Sequence, residues 1–364
     1  MKAIGLFLGA LLGCLVLTAS ANAAAYSITD LGTLGGSFSI GNNMNSTGQV
    51  VGSSINSTGV EHAFRYSGGS MIDLGTLGGT YSTAHGVNVN GQVVGFSAIS
   101  GGPGGTQHAF LYSGGSMADL GTLGGTQSYA NGVNNAEQVV GRAQIANGLY
   151  HPFLYANGSI TDLGTLGGSS GEAVAINSTG QVVGSSSITS GTTDAFLYKN
   201  GSMTDLGTLG GTSASAQSIS DVGQIVGGSY TSGGVYHAFL YTGSTMSDLG
   251  TLGGIFANSQ ADSVNNIGQI VGESYSADGS IVHAFLYADG SMKDLNGLVD
   301  PSSGWMLEYA KAVNDGGQIA GYGISPSGTA HAFLLNPVPE PTTLLVLGLG
   351  SLLVLRRRGS SVSN

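Results

Sequence analysis

DLGTLGG stands at Asp30–Gly36, and the same seven letters return with their aspartate at Asp73, Asp119, Asp162, Asp205 and Asp248. A diverged copy, DLNGLVD, begins at Asp294. Successive verbatim copies lie 43, 46, 43, 43 and 43 residues apart. A fixed period of this length is typical of repeat architectures, in which each unit buries its apolar face against the next. The sequence therefore predicts a series of packed repeats rather than independent domains.

Two further phrases recur in every unit. A segment such as AVAINSTGQVVGSS (Ala173–Ser186) contains a glutamine that returns at Gln49, Gln92, Gln138, Gln181, Gln224, Gln269 and Gln318. A segment of the form HAFLY begins at His62, His108, His151, Asp194, His237, His283 and His331. In the first segment the polar cluster Ser-Thr-Gly separates two short apolar and β-branched runs, which predicts a β-hairpin.

The HAFLY segment and the DLG copy that follows it form a second predicted hairpin. They are joined by pairs such as Asn157-Gly158, Asn200-Gly201, Asp289-Gly290 and Gly68-Gly69. Such pairs tolerate the positive φ angles of two-residue hairpin turns. Two hairpins place four short strands in each period, which is the content of one propeller blade. The sequence thus predicts an all-β, seven-bladed β-propeller with four-stranded blades.

The order of the strands also predicts how the ring closes. The repeats begin with a fourth-strand segment, YSITDLG at Tyr26–Gly32, and the seventh unit ends at His331–Leu335 without a fourth strand of its own. An open solenoid would need polar caps on its terminal repeats, whereas a closed ring needs none. We therefore expect the N-terminal strand to complete the last blade, which begins near Trp305.

Composition narrows the possible partners. The 364 residues include 65 glycines, 41% hydrophobic residues and 8% charged residues, which is typical of a folded, turn-rich protein. The formal net charge is −11, and four of the nine basic residues, Lys2 and Arg356–Arg358, lie near the ends. A body so poor in positive charge is not suited to binding the phosphates of nucleic acids. We expect no nucleic-acid partner, no metal and no cofactor.

Residues 1–23 are predicted to be a signal peptide. This segment has one lysine, an apolar stretch from Ile4 to Leu17, and small residues Ala21 and Ala23 in the A-x-A spacing that signal peptidase requires. We expect cleavage after Ala23 and export of the chain. The only cysteine, Cys14, lies within this segment. The mature protein would therefore contain neither a disulfide nor a thiolate site.

The tail, residues 337–364, combines Pro339, Glu340 and Pro341 with an apolar run at 342–355 and the cluster Arg356, Arg357 and Arg358. Fourteen residues reach ~21 Å as a helix, which is short of the ~30 Å hydrocarbon core. The tail resembles the PEP-CTERM sorting signal of exopolysaccharide-producing Gram-negative bacteria. The resemblance implies recognition of the Pro-Glu-Pro residues by the membrane protease exosortase, and transient inner-membrane attachment through 342–355. A plain single-span anchor is the alternative interpretation.

The HAF and DLG positions are the first candidates for chemistry. The predicted hairpin register places Phe64 opposite Asp73 and leaves His62 diagonal to Asp73 on the same face of the sheet, close enough for a hydrogen bond. We interpret this pair as a structural staple rather than as a catalytic or metal site, because a site repeated around a ring does not converge on one substrate atom. Asp194, which would lie diagonal to Asp205 in the fourth unit, indicates that the position tolerates change. His85, outside the repeat pattern, is expected to be a surface residue.

Variation in loop length predicts where the propeller binds. From the HAF position to the next DLG aspartate the step is 11 residues in all six cases, whereas the preceding loops differ, most of all at Phe96–Gln107. The variable connections lie at one end of an up-and-down blade, the end where repeat proteins commonly bind. Glycine, serine, threonine and tyrosine dominate them, which suits polar partners such as glycans. The candidate binding residues are Tyr150, Tyr230, Tyr236, Tyr275 and Tyr309.

The combination of HAFLY with DLGTLGG, repeated between Tyr26 and Asn336, resembles the HAF-repeat extracellular proteins. The resemblance implies export but no particular activity. We therefore expect residues 24–336 to form a non-catalytic cell-surface or matrix propeller that binds extracellular polysaccharide or a surface protein. The alternative is a propeller enzyme acting on glycans, either a lyase or a two-carboxylate hydrolase. A sialidase-like arginine triad is excluded, because the body contains only Arg65 and Arg142. Two or more non-repeated charged side chains gathered in one place would favour the enzyme.

Overall fold

The computed structural model describes residues 25–101, 105–254, 257–276 and 280–339. These residues form seven antiparallel four-stranded sheets and two 3-10 turns, and no α-helix occurs among them. Neighbouring sheets pack face to face around one axis, and the first strands of adjacent blades contact each other along it. The predicted seven-bladed β-propeller is confirmed.

Four blades account for strands 2 to 17 in chain order, and the remaining twelve strands build the other three. Blade 1 comprises β2 (Gly35–Met44), β3 (Val50–Asn56), β4 (Glu61–Ser67) and β5 (Ser70–Asp73). Blade 2 comprises β6 (Ser82–Val87), β7 (Val93–Ala98), β8 (Gln107–Ser113) and β9 (Ser116–Asp119). Blade 3 comprises β10 (Gly124–Val133), β11 (Val139–Ile145), β12 (Tyr150–Ala156) and β13 (Ser159–Asp162). Blade 4 comprises β14 (Gly167–Ile176), β15 (Val182–Ile188), β16 (Thr193–Lys199) and β17 (Ser202–Asp205).

The last three blades follow the same plan until the ring closes. Blade 5 comprises β18 (Gly210–Ile219), β19 (Ile225–Thr231), β20 (Tyr236–Thr242) and β21 (Thr245–Gly250). Blade 6 comprises β22 (Ser259–Val264), β23 (Ile270–Tyr275), β24 (Val282–Ala288) and β25 (Ser291–Asp294), and 3-10 turns at Leu295–Gly297 and Pro301–Ser303 lead onward. Blade 7 comprises β26 (Met306–Val313), β27 (Ile319–Ile324), β28 (Ala330–Pro337) and the N-terminal strand β1 (Tyr26–Asp30).

Closure by the N-terminal strand is confirmed. Strand β1 pairs antiparallel with β28, from Tyr26 opposite Pro337 to Asp30 opposite Phe333. The Val338 amide then donates a hydrogen bond to the Ala25 carbonyl at 2.8 Å. The two ends of the repeat body therefore meet at the outer edge of blade 7. Because closure joins residues about three hundred positions apart, the ring depends on both ends of the chain.

The first predicted hairpin is present in all seven blades and the second in six, because the fourth strand of blade 7 is the N-terminal strand β1. At the third-to-fourth-strand turns, Asn157, Asn200 and Asp289 have φ angles of 51°, 53° and 53°, and each is followed by a glycine that also has positive φ. This is the backbone of a type I′ turn, which matches the twist of the flanking strands. Strand lengths are uneven, because the fourth strands are mostly four residues long while several first strands reach ten.

The core consists of repeated layers between blades. Its largest members are fully buried phenylalanines at the HAF position of every blade: Phe64, Phe110, Phe153, Phe196, Phe239, Phe285 and Phe333. Each phenylalanine packs with valine, alanine and leucine side chains of its own blade and of a neighbouring one. Deeply buried aromatic side chains dominate core energetics. The same layer therefore recurs at every interface between blades.

The two ends of the ring differ in regularity. The constant face carries the turns between strands 1 and 2 and between strands 3 and 4, and the variable-loop face carries the remaining connections. On the constant face, asparagine side chains donate to a backbone carbonyl of the next blade: Asn45 to Asn88, Asn88 to Asn134, Asn134 to Asn177, Asn177 to Ser220, Asn265 to Asn314 and Asn314 to Asn45. These buried hydrogen bonds link the blades around the axis.

Candidate functional site

The recurring heptapeptide builds the passage from one blade to the next. Asp30 Oδ1 accepts a hydrogen bond from the Gly32 amide at 2.8 Å, and Thr33 Oγ1 accepts one from the Gly35 amide at 3.2 Å. Gly35 has a φ of 101°, and a Cβ on Gly36 would lie 2.3 Å from an atom of the adjacent strand. Side-chain-to-backbone turns of this kind, combined with glycine where φ is positive, allow a tight crossover. The repetition of DLGTLGG is therefore explained by structure.

The predicted hydrogen bond between the HAF histidine and the DLG aspartate is confirmed in six blades. The Nδ1 atom lies 2.5 to 3.0 Å from the carboxylate in the pairs His62–Asp73, His108–Asp119, His151–Asp162, His237–Asp248, His283–Asp294 and His331–Asp30. The pairs join the third and fourth strands near the rim of the ring, and no two of them share an aspartate. Their similar geometry in six blades favours the interpretation as a structural staple.

Blade 4 lacks this staple, because Asp194 replaces the histidine. Asp194 is only 7% exposed. Burial, followed by the negative charge of Asp205, raises the pKa of Asp194. Ionisation of Asp194 is therefore unfavourable, because the side chain is buried and lies next to a second acidic group.

One face of the inner two strands differs from blade to blade. At one cross-strand position the pair of residues is different in all seven blades: Ile40–Ser53, Thr83–Phe96, Tyr129–Arg142, Glu172–Ser185, Ser215–Gly228, Gln260–Glu273 and Tyr309–Tyr322. Immediately beside these residues, the glycine of the VVG segment and the HAF phenylalanine do not change. We call these fourteen residues the variable pairs. Where side chains vary within an otherwise constant repeat, the fold does not require a particular side chain.

A second set of variable residues lines the central channel. Two positions after the first member of each variable pair, the first strand carries a β-bulge, and the bulged residues are Asn42, His85, Asn131, Val174, Gln217, Asp262 and Lys311. All seven line a channel cavity of about 480 Å³. A bulge commonly re-aims a side chain. Here it directs one residue of each blade toward the axis.

The prediction that His85 is a surface residue was wrong. His85 Nδ1 lies 3.1 Å from Oδ1 of Asn131 in the next blade, and its ring packs edge-on against Phe96 with 5.3 Å between ring centroids. Burial lowers the pKa of His85, although the Asn131 hydrogen bond and the charge of Glu172 act in the opposite direction. The bulge between Ala84 and Gly86 places this side chain in the channel.

Four of the five tyrosines predicted for the binding face converge on one cleft. Tyr230 and Tyr236 come from blade 5, Tyr275 from blade 6 and Tyr309 from blade 7, and together they line a cavity of about 410 Å³. The other lining residues include Asn258, Gln260 and Glu273 from blade 6. We call this cavity the tyrosine cleft.

The fifth predicted tyrosine, Tyr150, occupies a different environment. Its ring lies under the Arg142 guanidinium, whose central carbon is 5.2 Å from the Tyr150 centroid and 4.8 Å from that of Tyr129. Arg142 also forms an ion pair with Glu172, with Nη1 3.1 Å from Oε2. Arg142, Tyr150 and Glu172 border a smaller cavity of about 220 Å³. Tyr150 is therefore committed to contacts within the protein.

Beside the tyrosine cleft, three charged side chains that no other blade repeats form a cluster. Lys311 Nζ lies 2.9 Å from Asp262 Oδ2 and 3.2 Å from Glu273 Oε2. Burial, followed by the charge of Asp262, raises the pKa of Glu273 well above its ordinary value, although Lys311 opposes the shift. Burial would lower the pKa of Lys311, but the attraction of the two carboxyl groups prevails and raises it. The ammonium therefore stays charged.

The remaining predicted site residues are in the terminal segments. Pro339 is the last described residue, whereas Ala21, Ala23, Glu340, Pro341, Arg356, Arg357 and Arg358 lie outside the described residues. The predicted membrane attachment at 342–355 lies outside them as well. In the part of the chain that the structure describes, no helix has the length and apolarity needed to cross a bilayer. Within that same part, no three His, Cys, Asp or Glu side chains are grouped to hold a metal ion.

Comparison with known families confirms the C-terminal motif. Residues 337–358 match the PEP-CTERM protein-sorting motif. The motif indicates export to the envelope or surface of a Gram-negative bacterium, and it implies processing by exosortase. No curated protein matches the chain.

Solved structures resemble the chain only distantly. The chain is 13% identical to a puromycin-hydrolyzing peptidase from Mycobacterium tuberculosis, with 77% of this chain and 48% of that one covered and a TM-score of 0.47. It is 10% identical to AofleA from Arthrobotrys oligospora, with 74% and 87% covered and a TM-score of 0.43. TolB from Acinetobacter baumannii is 13% identical, with 77% and 60% covered and a TM-score of 0.41. Similarity at this level carries no argument about activity.

Proposed function

We propose that this protein is an exported, non-catalytic propeller of the cell surface or extracellular matrix that binds polysaccharide through its variable-loop face. One observation carries the proposal. The repeat is otherwise nearly verbatim, but the type of side chain differs between blades at the variable pairs and at the channel-lining bulges. Four tyrosines also line one cleft beside the variable pairs. A fold requirement would keep those positions alike, so their diversity is best explained by a ligand.

The sorting signal and the family resemblance support the same proposal. The PEP-CTERM motif indicates export to the cell envelope or surface, and the tail resembles the sorting signal of exopolysaccharide-producing bacteria, which supports a polysaccharide as the partner. The resemblance to HAF-repeat extracellular proteins also points outside the cell. A surface protein is the second possible partner of the same face.

Binding is tested with the mature protein on a glycan array that is read for both bound protein and released products. We expect binding to one class of polysaccharide without cleavage. Absence of binding to every glycan, together with capture of a protein from the cell envelope, would replace polysaccharide by a protein partner.

A second candidate function, hydrolysis of a glycan, is favoured by the charged cluster. Asp262 and Glu273 are two acids that no other blade repeats, and both contact the same ammonium group. Glycoside hydrolases use a pair of acidic side chains as acid and base, and burial raises the pKa of Glu273 as such an acid would require. If this function is correct, the array releases shorter products, and Glu273→Gln abolishes the release while the melting temperature is retained. Binding with no products over long incubation would exclude it.

A further inference from the structure

We propose that the tyrosine cleft is a binding subsite for a neutral, hydroxyl-rich sugar unit, and that it discriminates against acidic sugars. The inference deepens the proposed function and rests on it. It names the place on the ring and the charge class of the ligand.

The walls of the cleft offer aromatic faces that the fold leaves accessible. Tyr230 and Tyr275 are each 38% exposed, although both lie on strands whose other side chains are mostly buried. A pyranose ring presents an apolar face of C–H groups, and an aromatic ring with a polar tip can stack on that face while its hydroxyl contacts the sugar. Two exposed tyrosines from adjacent blades therefore provide surfaces for stacking.

The back of the cleft is held rigid by contacts that blade 5 alone allows. The Tyr236 ring lies over Gly228, where an added Cβ would be 2.2 Å from the ring. Tyr230 packs edge-on against Tyr236 with 5.0 Å between centroids, and the Tyr236 amide donates to Asn258 Oδ1 at 3.2 Å. Burial, followed by the neighbouring Tyr230, raises the pKa of Tyr236 to about 12. The Tyr236 hydroxyl therefore stays protonated and can donate as well as accept a hydrogen bond.

The charges in and beside the cleft decide the charge class of the sugar. Among the described residues, no lysine or arginine lines the cleft. Lys311, whose Nζ lies 5.2 Å from the Tyr309 ring centroid, already contacts both Asp262 and Glu273. No cation is therefore left to pair with the carboxylate of a uronic acid, and burying a carboxylate without a counter-charge is unfavourable. The amides of Asn258 and Gln260 line the same cleft and suit sugar hydroxyls.

The test measures binding of oligosaccharides to the mature protein by titration calorimetry. The probes are cellohexaose and maltohexaose as neutral sugars, an alginate hexamer as the acidic sugar and a chitosan hexamer as the cationic sugar. Tyr236→Ala and Tyr275→Ala open the cleft, and Gly228→Ala displaces the Tyr236 ring without removing it. Tyr150→Ala is the matched control, because Tyr150 and Tyr236 hold the same position in blades 3 and 5. Thermal denaturation confirms that each variant is folded.

We expect a neutral hexamer to bind, with about a tenfold or greater rise in Kd for each of the three cleft variants. Tyr150→Ala should stay within about twofold of the unaltered protein. Cleft variants that bind as well as the unaltered protein, an equal loss in Tyr150→Ala, or tighter binding of alginate or chitosan than of the neutral sugars would each overturn the inference, while glycan binding by the propeller would still stand. If none of the four probes binds and the array is also negative, the proposed function itself fails.

Discussion

The outer half of each blade repeats its side chains from blade to blade, whereas the inner half repeats its backbone but varies several side chains. In the outer half, the HAF and DLG segments recur with the same register, the same buried phenylalanine and, in six blades, the same His–Asp hydrogen bond. In the inner half, the backbone is equally regular, yet no two variable pairs are alike. Packing therefore determines the side chains throughout the outer half. In the inner half it determines only the glycines, the valines and the side chains on one face of the sheet. The other face borders the channel and clefts, where packing does not dictate the side chain.

The largest effect is expected from breaking the ring itself. Deleting Tyr26–Gly36 removes the five residues that pair with β28 and uncovers Phe333 and Leu335, which are fully buried in the closed ring. We expect the melting temperature to fall by about 10 °C or more, because a loss of several kcal/mol shifts the midpoint by a few degrees per kcal/mol. An unchanged midpoint in differential scanning calorimetry would contradict closure by β1.

A pair of substitutions in one blade tests the contrast between the two halves directly. Phe196→Ala in the outer half empties a fully buried site and should destabilise the protein by about 3–5 kcal/mol. Ser185→Ala in the inner half of the same blade replaces one member of a variable pair and should change the unfolding free energy by less than about 0.5 kcal/mol. Both are measured by urea denaturation. Similar losses for the two variants would mean that the inner face also carries the fold.

The third prediction concerns Lys311, a channel-lining residue that forms ion pairs within the protein. Lys311→Met leaves Asp262 and Glu273 close together without their shared counter-charge. We expect a loss of about 3 kcal/mol at pH 7, since removing one partner of a largely buried ion pair strands the other. The loss should shrink as the pH falls, because protonation of Glu273 relieves the repulsion. Urea denaturation at pH 7 and pH 4 measures both values, and a loss that is the same at both would exclude this explanation.

The fold could be predicted from the sequence because the signals that specify it lie in short segments of the chain. The Asn157-Gly158 pair and its equivalents specify the outer hairpin, and the position of YSITDLG before the first full unit specifies the closure. His85 was misplaced because a β-bulge interrupts the alternation of side chains, so that its direction cannot be read by counting residues. The tyrosine cleft was predicted only as a face, since the convergence of Tyr236, Tyr275 and Tyr309 depends on how three blades meet. Aligning the seven units with one another would have revealed the variable pairs.

The smallest effect tests the one outer position that departs from its repeat. In Asp194→His, blade 4 would gain a hydrogen bond to Asp205 like those of the other six blades. We expect a gain of about 1 kcal/mol at pH 7, which is the ordinary net value of one hydrogen bond. Asp194→Asn separates the new bond from the removal of charge, because it removes the charge without supplying an imidazole. Equal gains in both variants would show that the staple contributes nothing beyond the loss of repulsion.

The pH dependence of Asp194→Asn has a definite sign. Burial and Asp205 raise the pKa of Asp194 in the folded protein above its unfolded value, so the folded state binds the proton more tightly. Above the unfolded pKa of about 3.9, the ionised group therefore destabilises the fold, and below it the penalty disappears. Asp194→Asn should consequently be more stable than the unaltered protein at pH 7 and equal to it near pH 3. If the stability difference between Asp194→Asn and the unaltered protein is the same at pH 3 as at pH 7, the effect comes from packing. The histidine of the other six blades would then be retained for its shape rather than for its hydrogen bond.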